Sequence, residues 1–136
     1  MATVDDVRRV LGDLPGVAEI ENGWGALCWR TKAGQIAWVC EANQSDLDQL
    51  AELGQAWPDG TVIAVRVASL DERAALIDED PDVFFTIPHF RSWPSALLVL
   101  DRIDSERLEE VLLDGWILRV PKRVSKAWLS EHGFDA

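Results

Sequence analysis

An α+β fold, with a mostly antiparallel sheet and helices packed on it, is the architecture this 136-residue sequence predicts. Three observations carry that expectation. Two apolar segments, "ALCWRT" and "QIAWVC", alternate in polarity and flank a short Lys-Ala-Gly turn, as the arms of a hairpin do. "TVIAVRV" (61–67), rich in β-branched residues, is the clearest strand in the chain. Between and around such segments run stretches of helical period, each opened by its own capping residue.

The elements follow in order. Residues 4–12 form a helix, with Thr3 as N-cap, Asp5 and Asp6 at the positive end, and Val4, Val7, Val10 and Leu11 as the apolar stripe. Gly12 and the Leu14-Pro15-Gly16 exit end it. Strands are expected at about 24–31 and 35–41. "SDLDQLAELG" is a short helix, with Ser45 as N-cap and Gly54 as stop. "WPDG" suits a type I turn, and the strand at 61–67 follows. "SLDERAALIDED" opens with a capping box, Ser69 with Glu72, and its inward side is expected at Leu70, Ala74 and Ile77. Strands at 82–87 and 95–103 come next, with Pro88 and Pro94 bracketing their turn. "DSERLEEVLLDGW" is an amphipathic helix with Leu108, Val111, Leu112 and Trp116 on one stripe; Gly115 weakens its end. Pro121 opens a last helix that leaves at Gly133. The order is α-β-β-α-β-α-β-β-α-α, in one domain spanning 1–136.

Composition narrows the function. Hydrophobic residues make up 48%, enough for one core without staples, and seven Trp and four Phe with no Tyr make the aromatic mass unusually apolar. The net charge of −11 opposes broad attraction to nucleic acid or anionic membrane. No run of 18 apolar residues is present, and the acidic start "MATVDDVRRV" does not read as a signal peptide, so a cytoplasmic protein is expected. Cys28 and Cys40 face each other across the hairpin only if its loop is Ala33-Gly34-Gln35. A two-residue loop at Ala33-Gly34 sets Cys28 against Val39 and puts the two thiols on opposite faces. Two reduced cysteines packed as small hydrophobes are the expectation.

"LIDEDPDVFFTIPHF", "WPSALLVLDRID" and "LEEVLLDGWILRVPKRV" together resemble the MmcQ/YjbR family, in the branch common among actinobacteria. The opening "DVRRVLGDLPGVAE" fits that family's first helix and its Leu-Pro-Gly exit, so the resemblance spans nearly the whole chain. It implies a compact α+β domain related in shape to the double-wing and frataxin-like folds. It also implies a non-enzymatic module often labelled DNA-binding, a label that rests on fold analogy.

Two constellations could carry binding. His89, Phe90, Arg91 and Trp93 combine a titratable imidazole, a guanidinium fork and two flat rings on a turn between strands. They form either a pocket for a small molecule or anion, or a turn whose rings cap the core. Arg119, Lys122, Arg123 and Lys126 place four of the 13 bases within eight residues. Lys122 and Arg123 sit in the first turn of the last helix, where cations oppose the helix dipole. They either grip an anion such as a DNA phosphate, or are solvated or paired with Glu106, Glu109, Glu110 and Asp114 of the preceding helix.

Other chemistry lacks residues. "DEDPD" (78–82) is interrupted by Pro81 and has no calcium-loop spacing. The two cysteines and two histidines have no zinc spacing. Neither a nucleophile elbow nor a phosphate-binding glycine loop occurs, and "GWG" (23–25) is too short to count as one. No cofactor, metal or catalytic residue is therefore expected. The partners in view are DNA by resemblance, a small anion, or a basic protein drawn to the acidic surface.

Overall fold

A computed structural model describes residues 2–21, 23 and 25–133 of the chain. Among them, six strands form one antiparallel sheet: β1 (Ala18–Glu21), β2 (Leu27–Thr31), β3 (Gly34–Cys40), β4 (Val62–Arg66), β5 (Phe84–Phe85) and β6 (Ser95–Val99). Their spatial order is β1-β2-β3-β4-β6-β5. Five α-helices accompany it: α1 (Val4–Gly12), α2 (Gln44–Glu52), α3 (Leu70–Glu79), α4 (Ser105–Ile117) and α5 (Lys122–Glu131). Short 3-10 turns lie at Pro88–Phe90 and Leu100–Arg102.

Period-2 alternation along β4 divides the interior. Ile63 and Val65 join Trp29, Phe84 and Leu98 in a first core, with Val7 and Leu11 of α1 and Leu108, Leu112 and Trp116 of α4. Val62 and Ala64 face the other way, into a smaller cluster with Leu97, Leu50 of α2 and Ile87. Half-buried Trp38, Trp57, Phe85 and Phe90 surround that second cluster. The first face is closed by α1 and α4, with Val124 and Trp128 of α5 packed at its edge. Among the described residues the second carries α2, the Pro88–Phe90 turn and Trp57, and on β1 Ile20 is 40% exposed.

Several boundaries differ from the sequence expectation, each for a local reason. β1 was not anticipated; all four of its residues are exposed, so it has no apolar signature, and it exists by pairing with β2. The hairpin turn is Lys32-Ala33, because Thr31 pairs with Gly34, and a bulge at Trp29/Arg30 brings Cys28 opposite Trp38. Both loop alternatives considered for the cysteines are thus replaced. The thiols are free, Cys28 buried and Cys40 half-buried. Asn43, not Ser45, caps α2: its side chain accepts from the Asp46 N–H, and the Asp46 carboxylate accepts from the Asn43 N–H. At α3, Ser69 accepts from the Glu72 N–H as the cap requires. Its inward side is nevertheless Arg73, Leu76 and Ile77, with Leu70 and Ala74 exposed. The segment 82–87 contributes only two strand residues, and 95–103 turns into 3-10 helix after Val99. The expectations for α1, for the stripe of α4 and for a helix starting after Pro121 match the structure. Of the "GWG" stretch, Trp24 lies outside the described residues.

Gly115 shows why α4 carries a helix-weakening residue. A Cβ there would lie 3.2 Å from the Arg66 carbonyl oxygen and 3.3 Å from Val65 Cγ1. The glycine lets the helix rest directly on the β4 backbone.

Candidate functional site

The turn between β5 and β6 is built around an arginine that sequence reasoning did not single out. Arg73, 8% exposed, projects from α3 into residues 90–95. Its Nη1 donates to the carbonyls of Phe90 at 2.7 Å and Trp93 at 2.9 Å, and more weakly to Ser95 at 3.5 Å. Its Nη2 donates to Arg91 O at 3.1 Å. One guanidinium fork thereby gathers four carbonyls. A lone Arg in a helix of mixed composition carries no sequence signal for this; only burial reveals it.

That frame sets the four residues of the first candidate site. His89 is exposed, and its Nδ1 lies 3.2 Å from Asp46 Oδ1, tying the 3-10 turn to the buried cap of α2. Phe90 stacks on the imidazole at 5.0 Å between centroids and meets Trp38 edge-on at 6.3 Å. Arg91 is exposed and Trp93 is 55% exposed, both held through their carbonyls rather than their side chains. The larger cavity described, about 500 Å³, lies on another side, between Leu50, Gln55, Pro58, Phe85, Thr86 and Arg102. A smaller one lies between Arg9, Asp13, Glu109 and Trp128. None of His89, Phe90, Arg91 and Trp93 lines either.

The second candidate set divides. Arg119 is half-buried and bound inward: Nε donates to Gln35 O at 3.1 Å and Nη1 to Ala33 O at 3.4 Å. The β3–β4 pairing runs only from Ala37 to Cys40, so Gln35 lies beyond its end, and Arg119 takes the carbonyl the ladder leaves. Gly34, at φ +143°, makes room; a Cβ there would lie 2.9 Å from Arg119 Cζ. Thr31 Oγ1 donates to the Arg119 carbonyl, holding the same corner. Partial burial, with Arg66 and Arg30 beside it, holds the Arg119 guanidinium below its ordinary range. Lys122, Arg123 and Lys126 are exposed on α5.

Among the described residues, the Arg–carboxylate pairs are those of Arg8, Arg9 and Arg107; none of these arginines is on α5, though Arg9 lines the smaller cavity with Trp128 of α5. Glu110, a potential partner for the α5 bases, is engaged by Arg107 at 2.9 Å. Among the described residues, no carboxylate lies within ion-pair distance of Arg119, Lys122, Arg123 or Lys126.

The thiols are poor nucleophiles. Burial, then the Asp46 and Glu41 carboxylates, push Cys40 up to about 11, and burial raises Cys28 against the pull of Arg30. Among the described residues, no group of three or more His, Cys, Asp or Glu is placed to hold a metal ion. No helix among them is long and apolar enough to cross a membrane.

Comparison with known proteins gives relatives and a fold neighbour. No family model matches the chain. It is 36% identical over 133 residues to the uncharacterized protein Rv2570 of Mycobacterium tuberculosis, covering 98% of this chain and 100% of that protein. The uncharacterized protein Mb2600 of Mycobacterium bovis matches to the same extent. Among solved structures, protein DR2400 of Deinococcus radiodurans, a DUF419 domain, superposes with a TM-score of 0.66 at 21% identity. That match covers 99% of this chain and 91% of the other, and it establishes the shared α+β fold.

Proposed function

The chain belongs to the family of these mycobacterial proteins, and we propose that it is a non-enzymatic, cytoplasmic binding module that contacts DNA phosphates through Arg119, Lys122, Arg123 and Lys126. The observation that carries this reading is the clustering of bases at the start of α5. Of the chain's 13 bases only Arg8, Arg9 and Arg107 pair with carboxylates among the described residues, and four of the others fall within residues 119–126. Here the α5 bases stand without a carboxylate among the described residues, while Arg8, Arg9 and Arg107 absorb their acidic neighbours. Lys122 and Arg123 also occupy the first turn of α5, where the dipole favours an anion and disfavours a cation. An external phosphate relieves that conflict. The likeness of "PKRV" and the segments before it to the MmcQ/YjbR family agrees with this reading.

Contacts of this type read the backbone and not the bases. The test is fluorescence anisotropy of labelled duplex and single-stranded DNA from low to physiological salt. Binding that weakens steeply with salt, and that vanishes in a Lys122→Glu/Arg123→Glu variant of unchanged melting temperature, supports the reading. Absence of binding at low salt would defeat it. A basic protein captured by the acidic remainder of the surface would then be the reading to pursue.

A further inference from the structure

The open face of the sheet holds a second arrangement of bases, invisible in the sequence because its members are far apart in the chain. Arg30 on β2 faces the same way as Cys28, whose Sγ donates to Gln35 Oε1 at 3.2 Å. Arg66, at the end of β4, faces the same way as Ala64 and Val62. Cys28 stands opposite Trp38, and Trp38 opposite Ala64, so both arginines share the face that carries the Trp38 ring. They are separated by one intervening strand, roughly 10 Å at the backbone, a gap two arginine side chains can close. Both are half-buried.

Every strand contribution to this end of the face lacks a carboxylate. β1 supplies Ala18 and Ile20, since Glu19 points to the opposite side and accepts from Trp29 Nε1. β2 supplies Cys28 and Arg30, β3 Gln35 and Trp38, β4 Ala64 and Arg66, and β6 Ser95 and Leu97. Among the described residues, Arg30 has one side-chain hydrogen bond, from Nε to the carbonyl of its neighbour Thr31. Arg66 has no side-chain partner among the described residues, and neither forms an ion pair among them. The hydroxyl of Ser95, cross-strand from Arg66 on the same face, is fully buried with no hydrogen-bond partner among the described residues. Arg119 reaches the same corner with Nη2 uncommitted among the described residues. Three guanidinia with no ion-pair partner among the described residues repel one another, and partial burial strengthens the repulsion.

We propose that Arg30 and Arg66, with the free edge of Arg119, form a site for a phosphoryl group on the open sheet face beside Trp38. The guanidinium forks match phosphate oxygens in geometry and charge. Half-buried Trp38 and exposed Ile20, with buried Cys28 beneath, offer an apolar surface for a flat ligand body next to the anion. The site shares Arg119 with the surface proposed above but does not depend on the α5 bases.

The probes are inorganic phosphate, pyrophosphate and a short single-stranded oligonucleotide. Each is titrated at constant ionic strength while the arginine Nε–Hε resonances and the melting temperature are followed, with chloride as control. Phosphate and pyrophosphate are expected to move the Arg30 and Arg66 resonances and raise the melting temperature. Arg66→Gln and Arg30→Gln should each weaken binding on the order of tenfold or more, as loss of a charge-assisted hydrogen bond implies. Neither should lower the melting temperature of the free protein, since each relieves like-charge repulsion. A purely structural arginine would show the opposite. Arg66→Lys, which keeps the charge and loses the fork, is expected to recover binding only in part. The Lys122→Glu/Arg123→Glu variant should retain phosphate binding at Arg66, which separates this site from the helix surface. Competition by phosphate against the oligonucleotide assigns the bound group to nucleic acid, and phosphate binding without oligonucleotide binding assigns it to a small phosphate ester. Unmoved Arg30 and Arg66 resonances at millimolar pyrophosphate would overturn the proposal.

Discussion

Replacing Arg73 by methionine removes the guanidinium and keeps most of the apolar stem. The structure gives three hydrogen bonds of 2.7 to 3.1 Å to the carbonyls of Phe90, Arg91 and Trp93, and a long fourth to Ser95. A hydrogen bond to a charged group contributes about 1.5–3 kcal/mol net. Three acceptors share Nη1, so the bonds do not add in full. Taking them as two effective bonds gives a loss of about 3–6 kcal/mol. Against that stands the relief of a buried charge with no carboxylate partner among the described residues, which offsets part of it. A net destabilisation of about 3 kcal/mol follows, equivalent to roughly 10 °C in melting temperature for a domain of this size. Urea unfolding gives the free energy, and amide hydrogen exchange locates it. Protection should fall most in residues 88–95 and little in β2 and β3. Arg73→Lys should rescue less than half, because one ammonium cannot span carbonyls on both sides of the turn. A methionine variant melting within about 2 °C of wild type would refute the reasoning, leaving the turn held by its 3-10 backbone bonds and the His89–Asp46 contact alone.

Three further outcomes are expected. Gly115→Ala should destabilise by about 1 kcal/mol although alanine is the better helix former by a similar amount, because the new methyl meets the Arg66 carbonyl at 3.2 Å and backbone cannot yield; equilibrium unfolding that shows a gain would contradict that contact. Gly34→Ala should cost about 1–2 kcal/mol through its φ of +143° and its crowding of Arg119, and in anisotropy it should weaken any DNA binding that uses Arg119. Cys40, raised from 9.0 to about 11, holds its proton more tightly folded than unfolded. Its contribution is therefore complete below about pH 9 and lost as pH rises through 11, so wild-type stability should fall more steeply across that window than Cys40→Ala. The chain has no Tyr to obscure the comparison, and parallel pH profiles would rule the effect out.

Cap residues and apolar period suffice for α1 and α4: Thr3 with Asp6, Asp104 with Arg107 N–H, and the stripe from Leu108 to Trp116 are all local relations. Alternation along β4 likewise determines its two faces without knowledge of what covers them. The α5 bases and the ring-rich turn at 88–93 were visible for the same reason, since their members are adjacent in the chain. What decided the rest was distance in sequence. β1 has an exposed, polar pattern and is a strand because β2 lends it a partner. Arg73 stands on a helix whose periodicity points to its apolar neighbours, and only the turn carbonyls 17 to 22 residues later draw it inward. Gly115 appears as a flaw in α4 until β4 is seen beneath it. Arg30, Arg66 and Arg119 are spread over 90 positions, and the register of three strands and the end of one ladder bring them to a single corner. Composition set the total charge of −11, and the pairs Arg8–Asp5, Arg9–Asp6 and Arg107–Glu110 are local one-turn relations of the sequence; only Arg8–Glu19 and Arg107–Glu79 needed the tertiary fold to bring their partners together.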